Sequence, residues 1–326
     1  MKVFLTSAYP YHPTDNFTPE YLKESAAVDS FKVHEVVEHP EAADIIVFAE
    51  HHPDHDPYFL KVLTNRIYRK FKHKCFLYQD SDITIPLIQN ISPSLEQSHY
   101  DSAFSQPFSY IIQLSPNPII RQTLSNEKRF LFSFVGTSRT NPIRKKVFEL
   151  THPACYLLDT FDKNSWQLSE EEKLVYQENY ARVSLESKFI LCPRGIGPNS
   201  YRLYESMEMG VAPVIISDEW VPTIGPAWET FAIRIPESDI GRVVELLEAR
   251  EPEALEMGRL ARQAWEEWFA KDRQFHYLTE ACAKLLATQS QLKPSFYIRQ
   301  YKRFLEPFHT RNILRFCKKT AVRYFK

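Results

Sequence analysis

The stretch KFILCPRGIGPNSYRLYESMEMGVAPVIISD, residues 188–218, holds three of the chain's seven glycines between two apolar runs. Residues 188–192 read as a strand, 194–198 as a loop, and Asn199 or Ser200 as the N-cap of a helix that ends at Gly210 in the C′ position. Open α/β sheets bind ligands beyond the carboxyl ends of their strands, and the N–H groups of a helix's first turn attract anions. Gly195 and Gly197 let the backbone approach a diphosphate, Ser200 adds a hydroxyl, and Arg194 can bind a phosphate through two parallel charge-assisted bonds. Glu205 and Arg202, three apart on one helix face, stand about one turn inward, where a carboxylate can accept hydrogen bonds from ribose hydroxyls. The plainer alternatives are a surface Arg202–Glu205 ion pair worth a few tenths of a kcal/mol, and a tight turn carrying an exposed Arg194.

A second cluster is EHHPDHD, Glu50 to Asp56. Its imidazoles and carboxylates have the composition of a zinc or manganese site for metal-assisted hydrolysis. Metal sites recruit ligands from several strands, however, and no other His or Asp cluster of comparable spacing occurs, so no metal ligand is assigned. Asp56, before Pro57, reads as a helix cap.

Short β-rich runs alternate with helical patterns along the chain. Strands are expected at 2–7, 43–50, 74–80 and 109–115, with helices around 18–28 and 57–72. A second series has strands at 129–136, 154–160, 188–192, 212–217 and 231–236, and helices at 142–150, 168–186, 199–209 and over 240–288. Such alternation predicts βαβ units and parallel sheets. The length of 326 residues suits two domains: 1–125, 126–290, and a separate tail, 291–326. The first 135 residues contain no glycine, which excludes a GxGxxG dinucleotide fingerprint there. Five widely spaced cysteines with no CxxC pair suggest neither a disulfide framework nor a thiolate zinc site.

The sequence FILCPRGIGPNSYRLYESMEMGVAPVIISDEW resembles the core of the exostosin-type glycosyltransferases: a strand ending in C-P-R-G, a short loop, then S-x-R-x-x-E on a helix. RFLFSFVGTSRTNPIRKKV is similar to that family's strand, glycine and arginine-bearing helix, and AADIIVF resembles its acidic-residue strand. The resemblance is strong over 129–236 and weak over 1–128. It implies a GT-B fold, two Rossmann-like α/β domains facing a cleft, with the second domain binding a nucleoside-diphosphate sugar. Arg194, Gly195, Asn199 and Ser200 would hold the diphosphate, Glu205 with Arg202 the ribose side, and Gly136 and Arg144 would complete the phosphate pocket. UDP is the nucleotide the resemblance favours, with GDP the alternative, and a glycan or lipid-linked acceptor is implied, for surface polysaccharide or glycan synthesis.

Such transfer needs a stabilised leaving group and a base. In a GT-B enzyme arginines and a helix dipole can stabilise the diphosphate, so no metal or other cofactor is expected. Retaining GT-B families often carry glutamates eight residues apart here, but the position eight before Glu205 is Gly197, which favours inversion. The base is expected at a strand's carboxyl end in the first domain. Glu50 and Asp80 are the candidates, with His51, His52 and Asp54 behind them; for each, the bland alternative is a loop residue or helix cap.

Residues 293–326 carry ten Lys or Arg against one Glu, interleaved with Phe, Tyr, Ile and Leu, while the remainder is net negative by ten. That pattern suits a basic amphipathic helix on an anionic membrane, or a helix whose aromatic face packs back on the first domain. No nucleic-acid motif is present. No apolar run approaches the roughly 20 residues that cross a bilayer, and the N-terminal MKVFLTS lacks an h-region, so a cytoplasmic protein, peripheral at the inner membrane face at most, is expected. The competing readings are a metal-dependent hydrolase using His51–Asp56 and a non-catalytic sugar-nucleotide or membrane-binding module.

Overall fold

A computed structural model describes residues 1–9, 16–51, 56–82, 85–111, 127–161, 169–291 and 294–324. The chain divides into two units, one of residues 1–95, 99–111 and 271–326, the other of residues 96–98 and 112–270.

The first unit runs β1 (Lys2–Thr6), α1 (Thr18–Ala27), β2 (Glu35–Val36), β3 (Ile45–Glu50), α2 (Leu60–Thr64), α3 (Arg66–Phe71), β4 (Cys75–Gln79), β5 (Asn90–Ser92) and β6 (Ser105–Pro107). All its strand pairs are parallel, in the order β2-β1-β3-β4-β5-β6. Every residue of β3 and β4 is buried, which explains their unbroken apolar sequences: both faces of a parallel sheet are covered. Ile45, Val47 and Ala49 face one core and Ile46 and Phe48 the other. Because the chain leaves β1 for β2 on one side and for β3 on the other, the order reverses between β1 and β3, and a crevice opens beyond their carboxyl ends.

The second unit runs β7 (Phe130–Gly136), α4 (Pro142–Phe148), β8 (Cys155–Asp159), α5 (Glu170–Leu185), β9 (Ser187–Pro193), α6 (Tyr201–Glu208), β10 (Ala212–Ile216), β11 (Ile233–Ile235), α7 (Val243–Arg250) and α8 (Ala254–Trp268). Its sheet is again all parallel, β11-β10-β9-β7-β8, with the reversal between β7 and β9. Local chemistry starts the helices where the sequence says. Asn141 accepts from Ile143 N with Pro142 at the first position, and Ser169 and Glu172 form a reciprocal capping box. Two doubly wound Rossmann-like units make this an α/β protein of the GT-B class.

The division of the chain differs from the sequence expectation. The helix expected to close the second domain, α9 (Lys271–Thr288), belongs to the first unit, as do α10 (Pro294–Arg303) and α11 (Pro307–Tyr324). The reason is a buried stripe, Phe275, Leu278, Cys282 and Leu285, in one core with Val3, Ile45 and Phe76. Nor is the tail separate: the Phe296 ring lies 4.2 Å from that of Phe104, tilted by 33°, Tyr58 meets Phe304 at 5.0 Å, and Tyr58 Oη donates to the His309 carbonyl at 3.3 Å. The expected strand at 109–115 is not formed over 109–111, and 112–115 lie outside the described residues; the outer strands are the short, polar β5 and β6. The expected helix at 57–72 is split at Asn65, whose side chain caps α3. Among the described residues no helix is long and apolar enough to cross a membrane.

Candidate active site

In the second unit the crevice beyond β7 and β9 is bounded by Gly136 at the end of one strand and Arg194 just past the other. Gly195 lies against Arg144: a Cβ there would stand 3.3 Å from Arg144 Nη2. All three guanidinium nitrogens of Arg144 donate to backbone carbonyls, Nε to Arg194 at 2.9 Å, Nη2 to Pro193 at 3.2 Å and Nη1 to Thr137 at 3.3 Å. The arginine that the sequence places in the phosphate pocket thus ties the ends of β7 and β9 together and shapes the loop.

Arg194 differs. Its backbone N–H donates to Ile216 O at 3.0 Å, Nη2 reaches only the Ile196 carbonyl at 3.4 Å, and Nη1 stands 3.8 Å from Glu237. Its Nε is buried without a hydrogen-bond partner, a costly state that an anionic ligand would relieve. Its side chain is 16% exposed, so the exposed-arginine alternative does not describe it.

The helix start is built as expected. Ser200 Oγ accepts from Arg202 N, Asn199 Oδ1 accepts from Ser200 N at 2.8 Å, and Asn199 Nδ2 donates to Tyr204 Oη at 3.2 Å. Asn199 therefore holds the cap together. Ser200 keeps its hydroxyl proton to donate, because its oxygen serves the cap only as an acceptor. The helix ends at Glu208 with Met209 as its C-cap, and Gly210 takes the left-handed φ of +68° that a C′ residue needs.

Arg202 and Glu205 do pair, Nη1 to Oε2 at 2.6 Å, but not on the surface: their side chains are 22% and 20% exposed. Arg202 Nε donates to Val135 O at 3.0 Å, and the guanidinium lies 4.4 Å over the Tyr180 ring. Tyr180 Oη adds a 2.7 Å bond to the same Oε2, leaving Glu205 Oε1 without a partner among the described residues. Tyr180 escapes sequence reading, since it sits in α5 inside no motif.

In the first unit, Glu50 ends β3 and is fully buried. Ser7 Oγ donates to Oε2 at 2.7 Å, Ala8 N to Oε1 at 2.7 Å and Asn16 Nδ2 to Oε2 at 3.0 Å. Burial pushes its carboxyl up to about 7 against the pull of those donors. Glu50 thus joins the ends of β1 and β3. Neither Ser7 nor Asn16 carries a sequence signal for this role.

Asp80, also buried, accepts from His51: Nδ1 to Oδ2 is 2.7 Å, with the His51 side chain 12% exposed. Asp56 is not the N-cap of α2, which is Phe59, but its carboxylate still serves the helix start, accepting from Leu60 N at 3.0 Å and Lys61 N at 2.9 Å, and from Tyr9 Oη at 2.6 Å. His52, Asp54 and His55 lie outside the described residues, so the hydrolase reading concerns a loop of which only the two ends are described.

The model of the Exostosin GT47 domain matches residues 70–250, more than half of the chain and all of the crevice in the second unit. The chain is 27% identical over 158 residues to an exostosin-1 homolog of Caenorhabditis elegans, covering 44% of this chain and 41% of that protein. It is 38% identical over 77 residues to a probable glucuronoxylan glucuronosyltransferase of Arabidopsis thaliana, covering 22% and 16%. Among solved structures, a sucrose-phosphate synthase from Thermosynechococcus elongatus aligns over 88% of this chain and 99% of its own, with 10% identity and a TM-score of 0.49. The matches span less than half the length of these curated relatives. The C-P-R-G loop, the S-x-R-x-x-E helix and the strand before them fall inside the matched segment, and the chain belongs to the exostosin GT47 family.

Proposed function

We propose that the protein is a glycosyltransferase that moves a sugar from a nucleoside-diphosphate sugar to a glycan hydroxyl, with inversion at the anomeric carbon. The observation that carries the reading is Arg194: a mostly buried cation with an unpartnered Nε, at the carboxyl end of β9, where an α/β sheet reverses. Arg194 and the Ser200 hydroxyl would meet the diphosphate, and the free Glu205 Oε1 a ribose hydroxyl. Gly136 leaves room at the end of β7, and Arg144 positions the loop. UDP is favoured over GDP through the family alone.

The base we assign is His51, oriented by Asp80. With Nδ1 turned to the carboxylate, the proton resides on Nδ1 and the lone pair on Nε2. The role read for the first unit is that Nε2 takes the acceptor hydroxyl's proton as that oxygen bonds to the anomeric carbon; the role read for the second is that Arg194 stabilises the charge on the diphosphate oxygen, which leaves with the electrons of the broken bond. Glu50, fully buried and serving three donors, holds the crevice together in this reading. With Arg194 and the amino end of α6 to stabilise the leaving group, the reaction we propose needs no metal.

An anionic membrane is proposed as a second partner. The docked tail still exposes Ile298, Tyr301, Leu305 and Leu314 alongside Arg299, Lys302, Arg311, Arg315 and Lys318. Flotation with phosphatidylserine vesicles, lost when Arg311, Arg315 and Lys318 become Glu, tests it.

A thermal-shift panel of UDP, GDP, CDP and dTDP in EDTA tests the main reading on wild type and Arg194→Gln. A nucleotide at 100 times its Kd adds about 2.7 kcal/mol, a rise of a few degrees. One diphosphate should stabilise the wild type and fail on the variant; a panel that shifts neither sinks the proposal.

A further inference from the structure

At the opposite end of the first sheet from Glu50, the fold gathers three residues that the sequence keeps apart. His34 immediately precedes β2, whose Glu35 pairs with Lys2 at the start of β1. His276 and Glu280 are four apart on α9, hence on one face of it. One ligand atom of each lies within 4.8 Å of the other two.

The surroundings favour an ion. His34 Nε2 is 2.9 Å from Glu280 Oε1 yet lacks the angle of a hydrogen bond, and His276 Nδ1 is buried with no hydrogen-bond partner. Two imidazole nitrogens withdrawn from water and left without hydrogen bonds are an unusual pair in one cluster. The rings stack at 5.1 Å, and Phe31 covers His276 at 3.8 Å, which fixes their orientation. His34 Nδ1 faces the Met1 nitrogen at 3.1 Å, which leaves Nε2 as the atom turned to the cluster.

We propose that His34, His276 and Glu280 bind a divalent transition-metal ion of the zinc type, which staples the β2 edge of the first sheet to α9. Two imidazoles and one carboxylate suit zinc, cobalt or nickel, and three protein ligands leave a position for water. Magnesium and calcium, which prefer all-oxygen sites, fit poorly. Binding through Nε2 displaces the proton held there while Nδ1 takes one from the Met1 ammonium, so uptake releases one proton. Placed at the amino ends of the strands, the ion supports the fold and takes no part in transfer.

The test uses full-length protein stripped with EDTA and returned to chelator-free buffer at neutral pH. Titration with Co²⁺ should give a visible d–d band that saturates at one equivalent, and Zn²⁺ but not Mg²⁺ should raise the Tm by a few degrees. Both responses should vanish in His276→Gln and in Glu280→Gln; the latter replaces a half-exposed side chain and keeps the fold, checked by circular dichroism. A wild type that shows no band and no Tm change overturns the proposal. So does a band that survives undiminished in both variants, which would place the ion on other histidines.

Discussion

His51 and Asp80 face each other across adjacent strands, Nδ1 to Oδ2 at 2.7 Å, one residue beyond the register pair Glu50 and Gln79. Parallel pairing of β3 with β4 therefore sets the dyad, and neither residue depends on a loop to reach the other. If His51 is the base, His51→Ala lowers kcat by about 10²–10⁴, the usual worth of a positioned base. Asp80→Asn, which keeps the shape but removes the anionic acceptor, should cost at least about tenfold. Nucleotide-induced stabilisation should survive in both, because the donor residues lie in the other unit. Nucleotide release in the presence of acceptor measures the rates; full activity in His51→Ala would move the base elsewhere.

Much of the segment around the end of β9 is legible in the sequence because its parts are contiguous. Strand, loop, N-cap and C′ glycine between 188 and 210 follow one another, and each carries a local signal. Of the two partners of Glu205, Arg202 is legible from its spacing and Tyr180 is not, since it comes from a helix packed on by tertiary structure. For Arg144 the resemblance implies a phosphate ligand, while its bonds to three backbone carbonyls, which no sequence signal announces, are seen only in the fold. Strands β5 and β6, reading NIS and SQP, lack any apolar run, and only pairing reveals them. The stripe on α9 is visible as amphipathic periodicity, yet which sheet it covers is decided by topology. His34 and His276 meet for the same reason.

Glu50 gives a pH signature. Its folded-state pKa of about 7 lies above the ordinary 4.5, so its contribution to stability is fully present at low pH and is lost as pH rises through 7. Relative to Glu50→Gln, which does not titrate, wild-type stability should fall by roughly 3 kcal/mol between about pH 4.5 and 8, at 1.36 kcal/mol per pK unit. Urea unfolding of both proteins at several pH values measures the gap. A constant gap would mean that the Ser7, Ala8 and Asn16 donors outweigh burial and keep the group ionised.

Glu205 should act on donor binding through its free Oε1, while Tyr180 only orients it. Glu205→Gln leaves Tyr180 and Arg202 with a weaker acceptor and should raise the nucleotide Kd about tenfold, one charged hydrogen bond's worth. Tyr180→Phe, which spares Oε1, should weaken binding less while lowering stability by about 1 kcal/mol. Calorimetric titration with the diphosphate and with a 2′,3′-dideoxy analogue separates the roles. Wild type should lose affinity for the analogue and Glu205→Gln should not; equal losses would remove the ribose assignment.

Gly210 and Gly258 meet backbone to backbone, and the contact fixes how α8 sits against the end of α6. A Cβ on Gly258 would stand 2.4 Å from the Gly210 carbonyl oxygen, closer than side chains approach backbone, and neither main chain can yield without moving its helix. In an exposed helix interior, Gly→Ala would add about 1 kcal/mol of stability. Here overpacking reverses the sign, and Gly258→Ala should cost about 2–3 kcal/mol. For a unit of this size that is a Tm lower by about 4–12 °C. Gly241→Ala is the control, because nothing lies within 4 Å of the added methyl, and its Tm should be unchanged or slightly higher. Differential scanning calorimetry of the three proteins decides it: equal melting for Gly258→Ala and wild type would show that α8 can slide away from Gly210 at little cost, and that the start of β10 does not depend on this contact.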